Sequence, residues 1–505
     1  MAKELYDGIY SSHKLVFIER VEKNLKFYLK DKINNIKITG QNIFCEASRK
    51  SVYEILREIN KNPELEVNVL SSINQYISSD KYNVLLCLSS LSHNFSMTLK
   101  IPIGSVSLGI NALKTEYKEL IMEISTIFGS ALFYLKEDKI SESDSDIILK
   151  SHILEGIDTF DVYLQTQDNI VSKAYIDTEL SAVDFCSIAG NISINNLLTY
   201  VSRFDYNAGI FPELCLCLAI EESLSIKVPK RMQYIRMIVS ELFRITNHIN
   251  YISKISMILG SSISSYAQIE NEIILRLIEE ITGSRVHPNF IRPGGVKKDL
   301  SNESLKNLSA NMSRALKKIN RIEALLLDNT IITAKLKNLG KTNAETAVFC
   351  GATGPNLRAT GARYDLRKNR NLLLYKDVSF LIAYGRHGDC LERIYLRFLE
   401  IYQSINIITQ LINEIAQTPI LDYPEYKEIE LPYSEIISSI ECPHGVFKIF
   451  FEAKQNKIIK LVVMGPSRNS LNLAEKILPG NRIEDVELIL ASLDLSGGEI
   501  MQESI

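Results

Sequence analysis

The feature that most constrains this sequence is a run of apolar residues, spaced alternately four and three positions apart, in its C-terminal third. The run consists of Ile394, Phe398, Ile401, Ile405, Ile408, Ile412 and Ile415. This spacing places the side chains on one face of an α-helix, and that face must be covered by another element. Asp389 precedes the run and is a candidate N-cap, so the pattern predicts a long, buried helix that begins near residue 390.

Three further stretches with helical periodicity predict that this helix belongs to a bundle. They cover residues 229–252, 265–283 and 305–327. Pro229 suits the first turn of a helix, and Gly283 is a typical residue just after a last turn. Helices of this length with matching apolar faces pack around one seam, so we expect a largely α-helical domain with a continuous core.

Shorter patterns precede the bundle. Residues 51–60 and 113–128 have helical patterns, and residues 82–103 alternate like two paired strands around a turn-prone Ser-His-Asn at 92–94. The polar, serine-rich stretch 139–146 is typical of a flexible connection. We therefore predict a small α/β domain at residues 1–138, a linker at 139–150 and a second domain at 151–505.

The second domain begins and ends with strand patterns. Residues 160–171 predict two short strands around Asp168 and Asn169, and residues 445–451 and 457–464 predict two more. The predicted fold class is therefore α+β. It consists of a small α/β domain and then a largely helical bundle, with short β segments at the start of the bundle and at its C-terminal end.

Composition excludes several classes of function. Apolar residues make up 46% of the 505 residues, and the formal net charge is −3, so we expect no basic phosphate-binding surface and no nucleic-acid partner. The longest uncharged stretch, residues 185–202, is rich in Asn, Ser and Gly, and no segment offers the ~20 apolar residues that cross a bilayer. The N-terminus has no basic region leading into an apolar run, so we expect no secretory signal.

The spacing of cysteine and histidine predicts no metal site. The chain has eight cysteines and seven histidines. The only close cysteine pair, Cys215 and Cys217, is separated by one residue, whereas zinc and iron–sulfur sites usually use pairs about two to four residues apart. The histidines form no His-x-x-x-His pair. We predict that the close cysteines are buried core residues and that this chain holds no metal.

Two loops rich in glycine and arginine are the strongest candidates for function. They are residues 283–296, with Arg285, His287 and Arg292, and residues 351–368, with Arg358 and Arg363, continued at 385–390. Clustered guanidinium groups need anionic or carbonyl partners unless they remain in water, so a solvated basic loop is the alternative interpretation. Neither loop is a phosphate loop, because the glycine motifs of the P-loop and of dinucleotide-binding folds are absent.

At these loops the sequence resembles a known family, the large quinone-site subunit of respiratory complex I. The similar runs are TGPNLRATGARYDLRKNR (353–370), GRHGDCLERIYLR (385–397), ITGSRVHPNFIRPGGVKKDL (281–300) and VPKRMQYIRMIVSELFRITNH (228–248). The resemblance extends from about residue 150 to the ending SLDLSGGEI at 492–500.

The N-terminal domain resembles the smaller hydrophilic subunit of the same complex, through SLSHNFSMTLKIPI at residues 90–103. The two resemblances together imply a fused C/D-type subunit of a bacterial proton-translocating NADH:quinone oxidoreductase. They also imply a fold related to the nickel-iron hydrogenase large subunit. The two Cys-x-x-Cys pairs that hold nickel in those hydrogenases are absent from this sequence, so the resemblance does not extend to a metal centre.

The resemblance implies roles for particular residues. Tyr206, in the segment SRFDY, matches the tyrosine that hydrogen-bonds the quinone head group, and a phenol suits an oxygen whose negative charge grows on reduction. His287 matches a histidine near the terminal iron–sulfur cluster, where an imidazole that titrates near neutrality can follow the charge of the cluster. Arg292, Arg358 and Arg363 are expected to face the cluster or a partner subunit.

The expected quinone loop departs from the family pattern. Where the family has His-Pro-x-x-His-Gly, this chain reads SHILEG at residues 151–156, so His152 is displaced and Glu155 replaces the second histidine. Ile258 and Ala182 stand where the family has an aspartate and an arginine. Two interpretations remain open: the site works differently, with His152 or Glu155 as a substitute, or the chain is a structural scaffold with a degenerate site. A related membrane-bound redox complex with another electron donor or acceptor is a third.

The resemblance also implies partners and a location. Quinone would bind at a site shared with the iron–sulfur subunit that carries the terminal cluster, and this chain alone would bind no cofactor. NADH, FMN and the iron–sulfur clusters would belong to partner subunits, so NAD(H) is an indirect partner. Other peripheral-arm subunits and the membrane-arm subunits would complete the complex. The expected location is peripheral, on the cytoplasmic side of the bacterial inner membrane.

Overall fold

Two compact units make up the chain, residues 1–137 and 138–504. The structure is a computed structural model that describes residues 21, 23–29, 32–39, 42–65, 67, 69–78, 81–90, 95–105, 117–124, 127, 144–150, 159–178, 192–370, 372–419, 430–454 and 457–500. Strands dominate the described part of the first unit, and long helices dominate that of the second.

The first unit is built on a five-stranded sheet. Its elements are β1 (Ile33–Thr39), β2 (Asn42–Ala47), α1 (Val52–Lys61), β3 (Val69–Ser78), β4 (Lys81–Ser90) and β5 (Phe95–Ser105). The strand order is β1-β2-β5-β4-β3, in which β2 and β5 run parallel and the other neighbours antiparallel. Residues 23–29 and 117–124 are also helical. The buried face of α1 packs into one apolar cluster with the strands.

The local predictions for this unit are confirmed where the structure describes them. The helix expected at 51–60 is α1, and the paired strands expected at 82–103 are β4 and β5, with Ser90 opposite Phe95. Residues 117–124 of the helix expected at 113–128 are helical. Residues 92–94 and 139–143 lie outside the described residues.

The helices of the second unit are long in its middle and short at its end. They are α2 (Ile194–Val201), α3 (Ile210–Ser223), α4 (Lys230–Ile258), α5 (Ile263–Thr282), α6 (Asn302–Leu327), α7 (Thr330–Leu336), α8 (Ala344–Phe349), α9 (Gly354–Arg358), α10 (Leu366–Asn369), α11 (Cys390–Ile415), α12 (Ser467–Ile477), α13 (Val486–Ser492) and α14 (Gly497–Ile500). None of the described helices is both long enough and apolar enough to span a membrane.

The four predicted bundle helices are α4, α5, α6 and α11, and their ends follow the expected signals. The Asp389 side chain accepts a 2.9 Å hydrogen bond from the Glu392 N–H and so caps α11. Gly283 ends α5 with a φ of 85°, a left-handed conformation that favours glycine. Helix α4 packs against α5 and α11, and α6 packs against both of these. The predicted bundle and the α+β fold class are therefore confirmed.

Short sheets lie at both ends of the second unit. The N-terminal sheet contains β6 (Ile147–Lys150), β7 (Asp161–Gln167) and β8 (Ile170–Asp177). The C-terminal sheet contains β11 (Ser434–Cys442), β12 (Gly445–Lys454) and β13 (Lys457–Met464). Between them in the sequence, β9 (Ile291–Arg292) pairs with β10 (Gly295–Val296). β6 pairs antiparallel with β7, so this part of the predicted linker is an ordered strand. Helix α3 packs against β11 and β12.

Five arginine side chains are completely buried among the described residues, and they shape the interior of the second unit. They are Arg236, Arg244, Arg358, Arg393 and Arg397. A buried guanidinium is tolerated only with carboxylate or carbonyl partners, because it cannot lose its proton. Arg358, for example, donates to Glu441 at 2.6 Å, to Glu400 at 2.7 Å and to the Tyr364 carbonyl at 2.9 Å. Such bonds connect segments that are far apart in the sequence.

Candidate functional site

Tyr206 lies in a tight connection between α2 and α3. A single 3₁₀ turn, Ser202–Phe204, follows α2, and the buried Asp205 comes next. The Asp205 Oδ1 atom accepts hydrogen bonds from the N–H groups of Asn207 at 3.1 Å and Ala208 at 3.0 Å. This side chain therefore fixes the turn that follows Tyr206, whose own side chain is half-buried.

The loop that carries His287 and Arg292 is held to α3 through its backbone. The buried carboxylate of Glu213 accepts from the N–H groups of Asn289 at 2.6 Å, Phe290 at 2.9 Å and Ile291 at 3.3 Å. Burial raises the pKa of Glu213 to about 7, although these three amide donors lower it. A second carboxylate of α3, Glu221, accepts from the Gly294 N–H at 2.7 Å. Carboxylates of α3 thus anchor the backbone of the loop at four N–H groups.

Gly209 is the point where the Tyr206 segment meets the His287 loop. A methyl group on Gly209 would lie 2.6 Å from the Ser202 carbonyl oxygen, 3.2 Å from His287 Nδ1 and 3.2 Å from the Val286 carbonyl oxygen. Only a residue without a Cβ lets these segments approach so closely. The structure therefore brings the predicted residues Tyr206 and His287 into neighbouring segments of one region.

The surroundings of His287 favour its neutral form. Burial lowers the pKa of His287, and the positive charge of Arg203 lowers it further. The nearby Ser202 backbone and the charge of Asp205 act in the opposite direction. The Nδ1 atom of His287 is buried and has no hydrogen-bond partner among the described residues. His287 is therefore a partly buried imidazole that can still take up a proton.

Behind the Tyr206 segment lies a chain of buried charges. His444 lies between two carboxylates, with Nε2 3.3 Å from Asp205 Oδ2 and Nδ1 3.3 Å from Asp494 Oδ2. Burial lowers the pKa of His444, but Asp205 and Asp494 outweigh it and raise the pKa well above its usual value. The guanidinium of Arg397 lies 3.1 Å from Asp494 Oδ2. Two cations therefore balance two carboxylates in this chain of contacts.

A further buried carboxyl group, Glu499 of α14, approaches the same chain. One possible metal-ligand atom from each of Asp205, Cys442 and Glu499, a carboxylate oxygen or the thiol sulfur, lies within 4.8 Å of the other two. A metal ion could be held at this spacing. Burial raises the pKa of the Cys442 thiol well above its usual value, and the His444 imidazolium lies beside Asp205. A protonated thiol and an adjacent cation both oppose metal binding, so these residues fit a metal poorly.

The three candidate arginines lie in different surroundings. The half-buried Arg292 donates to the Asn289 side chain at 2.5 Å and to the Ile291 carbonyl at 3.2 Å, within its own loop. The exposed Arg363 stacks on the Tyr384 ring, with its guanidinium carbon 4.2 Å from the ring centroid. The prediction that Arg358 faces a partner or a cluster is wrong, because this side chain is 0% exposed and bound to internal carboxylates.

The altered quinone loop cannot be placed in the same way. His152, Glu155 and Ala182 lie outside the described residues. Ile258, where the family has an aspartate, is the last residue of α4 and is half-buried. His248, on the same helix, donates from Nε2 to the Glu400 carboxylate at 2.9 Å, and burial lowers the pKa of His248 to about 4.

Several residues of this region were not singled out from the sequence. They are Asp205, His444, Asp494, Glu499 and the loop anchor Glu213. Asp205 lies in the segment SRFDY, directly before Tyr206, and Asp494 and Glu499 lie in the ending SLDLSGGEI. Both segments resemble the family, so these three acidic residues could have been selected from the sequence. His444 and Glu213 lie in unremarkable local sequence, and only the tertiary contacts reveal their part.

Comparisons with known proteins agree on one family. Residues 260–430 match the family described as respiratory-chain NADH dehydrogenase, 49 Kd subunit. The D-type subunit of NADH-quinone oxidoreductase from Carboxydothermus hydrogenoformans is 33% identical over 315 residues, which cover 62% of this chain and 86% of that protein. The D-type subunit from Methylacidiphilum infernorum is 31% identical over 366 residues, which cover 67% of this chain and 88% of that protein.

A solved structure gives the same result for the fold. A chain of the membrane-bound sulfane sulfur reductase, an archaeal respiratory membrane complex, superimposes with a TM-score of 0.67 and is 28% identical. The match covers 70% of this chain and 98% of that chain. This structural relative is therefore matched along nearly its full length, while part of the present chain lies beyond it.

Proposed function

Because the chain belongs to the family of the D-type subunit of NADH-quinone oxidoreductase, a peripheral-arm subunit of respiratory complex I, we propose that it forms one wall of a quinone-reduction chamber. The opposite wall is the iron–sulfur subunit that carries the terminal cluster, and quinone binds between the two. In this proposal Tyr206 donates a hydrogen bond to the quinone head group. His287 and Arg292 face the iron–sulfur partner.

The observation that carries this proposal is the contact between two segments that the sequence separates widely. The backbone around Tyr206 and the loop of His287 meet at Gly209, where a methyl group would lie only 2.6 Å and 3.2 Å from the two segments. Glu213 anchors the loop just beyond this contact, at Asn289 and Phe290. A phenol and an imidazole held on neighbouring segments form a suitable pair for a proton-coupled reduction.

The chemistry of the two side chains follows from their surroundings. The partner subunits would supply electrons from NADH through flavin and iron–sulfur centres. The Tyr206 hydroxyl can then donate its proton to the quinone oxygen as negative charge grows there. The lowered pKa of His287 keeps its imidazole neutral at neutral pH, so that it can bind a proton when a nearby centre gains an electron.

The first unit has a separate place in the proposal. The two bacterial D-type relatives match 62% and 67% of this chain, so a substantial part of the chain is additional to them. We assign the first unit as the smaller hydrophilic C-type subunit, fused to the D-type subunit in one polypeptide. The fused chain would then contact other peripheral-arm and membrane-arm subunits on the cytoplasmic side of the membrane.

The proposal is tested by Tyr206→Phe in the assembled complex. This variant removes only the hydroxyl group, and we expect quinone reductase turnover to fall by about 100-fold, the lower end of the range for a positioned acid. Tyr266→Phe on the exposed face of α5 is the matched control and should keep wild-type turnover. Full activity of Tyr206→Phe in a normally assembled complex would favour the scaffold interpretation instead.

A further inference from the structure

The two carboxylate oxygens of Asp205, the buried residue directly before Tyr206, have different partners. Oδ1 accepts from the N–H groups of Asn207 at 3.1 Å and Ala208 at 3.0 Å, which shapes the turn that follows Tyr206. Oδ2 lies 3.3 Å from His444 Nε2 and forms no hydrogen bond with any described residue. A buried carboxylate needs a compensating charge, so the position of Asp205 depends on His444.

His444 is itself held from the opposite side. Its Nδ1 atom donates to the Asp494 carbonyl oxygen at 2.8 Å and lies 3.3 Å from Asp494 Oδ2. Arg397 of α11 lies 3.1 Å from the same carboxylate oxygen and donates to the Pro443 carbonyl at 2.7 Å. One arginine of the bundle thus holds both the residue before His444 and the carboxylate beside it. A continuous series of contacts leads from α11 to the turn that follows Tyr206.

The turn that carries His444, between β11 and β12, packs against the second glycine-rich loop. A methyl group on Gly354 would lie 2.4 Å from the Gly445 Cα atom and 2.7 Å from the His444 carbonyl oxygen. The Thr353 hydroxyl accepts from the Val446 N–H at 2.9 Å on the other side of the turn. Backbone groups in such close contact leave little room for the turn to shift. The loop of Thr353 and Gly354 therefore supports the position of His444.

The surroundings of His444 make it a cation. Burial lowers the pKa of His444, but Asp205 and Asp494 outweigh burial and raise this pKa well above its usual value. A neutral imidazole has one N–H, whereas an imidazolium has an N–H on both nitrogens and can face both carboxylates. The Asn247 side-chain amide lies 3.3 Å from Nε2, and its oxygen can accept from the same N–H. The charge of His444, and not only its shape, therefore joins the two carboxylates.

We propose that His444 is a positioning residue for Tyr206, which rests on the function proposed above. The imidazolium holds the Asp205 carboxylate, and Asp205 holds the turn that follows Tyr206. In this role His444 takes no part in proton transfer and acts only through the backbone. Loss of its charge should displace the phenol from the quinone oxygen, and a displacement near 1 Å can lower a rate by about 100-fold.

Kinetics of the assembled complex separate this role from a general loss of structure. His444→Gln removes the charge, and we expect kcat for quinone reduction to fall by about 10- to 100-fold while KM changes by less than about twofold. His444→Lys keeps a cation and should restore most of the rate. Asp205→Asn breaks the same ion pair from its other end and should lower kcat similarly. The matched control is His248→Gln, which alters a buried imidazole bound to Glu400 and should keep wild-type kcat.

The same measurements can overturn the proposal. Wild-type kcat in His444→Gln or in Asp205→Asn would do so, and so would an equal loss of kcat in His444→Lys or in the His248→Gln control. A combination with Tyr206→Phe adds a further check, because His444→Gln should lower the remaining rate by less than about twofold once the hydroxyl is absent. A loss as large as in the wild-type background would mean that His444 does not act through Tyr206.

Hydrogen exchange followed by mass spectrometry reports on the turn without reference to activity. The N–H groups of Asn207 and Ala208 should exchange faster by about fivefold or more in His444→Gln, because their hydrogen bonds to the carboxylate are weakened, and at the wild-type rate in His444→Lys. The amides of Asn289 and Phe290 are also bound by a buried carboxylate and are the internal control, with no change expected. Unchanged exchange at residues 207 and 208 would contradict the proposal.

The two proposals fail in different ways. If Tyr206→Phe is fully active while His444→Gln still speeds the exchange, the quinone role of Tyr206 is wrong, and the contact of His444 with Asp205 is only structural. If Tyr206→Phe is inactive while His444→Gln leaves both kcat and the exchange unchanged, the proposed function stands and only the role of His444 is wrong.

Discussion

Gly209 provides the sharpest test of how closely the site must be assembled. Its backbone has a φ of −56° and a ψ of −15°, which alanine also adopts easily, so Gly209→Ala introduces no backbone strain. The added methyl group would lie 2.6 Å from the Ser202 carbonyl oxygen, whereas ordinary van der Waals contact begins at 3.4 Å. The effect of the variant therefore comes mainly from this contact, with smaller overlaps at 3.2 Å with His287 Nδ1 and the Val286 carbonyl oxygen.

The size of the effect follows from that overlap. Relief of the contact needs a separation of about 0.8 Å, and the neighbouring atom belongs to the backbone and cannot rotate away. Overpacking of this kind costs about 1–3 kcal/mol of folding free energy. A displacement near 1 Å in a reacting site can lower the rate by about 100-fold. We therefore expect quinone turnover to fall by about 10- to 100-fold in a complex that still assembles.

The assay is NADH-dependent quinone reduction by the assembled complex, with kcat and KM measured separately. Gly295→Ala is the matched control, because a methyl group there would lie 3.6 Å from Met232 and meet only ordinary contact. Both variants add the same group to the same region of the protein. Wild-type turnover by Gly209→Ala, with normal subunit content, would refute the view that the Tyr206 segment and the His287 loop must lie this close together.

Two further predictions concern stability. Arg358→Met removes the charge that binds Glu441 and Glu400, so we expect the free energy of unfolding, measured with denaturant, to fall by about 3–5 kcal/mol. Arg363→Met, at an exposed position, is the control and should change it by less than about 0.5 kcal/mol. Equal effects of the two variants would contradict the stabilising role of the buried network. Glu499 has a pKa raised from the usual 4.5 to about 8, so its proton stabilises the folded state fully below pH 4.5, and this contribution is lost as the pH rises through about 8. As the pH rises over this range, the melting temperature of the wild type should therefore fall more steeply than that of Glu499→Gln. If the two curves of melting temperature against pH are parallel, the Glu499 proton does not stabilise the fold.

The long periodic helices of the second unit could be predicted from the sequence, whereas the functionally important α3 could not. In α11 the apolar residues repeat every three or four positions, because one face is buried and another is more exposed. In α3 almost every residue is buried, including Glu213 and Glu221, so no periodic face exists. The sequence around Cys215 and Cys217 therefore indicated only buried core residues and not the helix that carries the anchors of the candidate loop.

The candidate site could be predicted only in part, for a related reason. Tyr206 and His287 each belong to a recognisable local motif, and their segments meet at Gly209. The pair of Asp205 and Glu499, with His444 between Asp205 and Asp494, comes from three separate parts of the chain. Contacts of this kind depend on how strands and helices pack, and a local pattern carries no information about them. The buried position of Arg358 was missed for the same reason.

The way Glu213 holds its loop has a consequence for evolution. The carboxylate binds three main-chain amides, and every amino acid except proline supplies such a donor at positions 289–291. Phe290 and Ile291 are completely buried, so substitutions there are limited by packing, but those that fit keep all three bonds, whereas loss of the single glutamate would remove them together. One carboxylate that binds main-chain groups can in this way hold the position of a loop while the exposed side chains of that loop diverge between relatives.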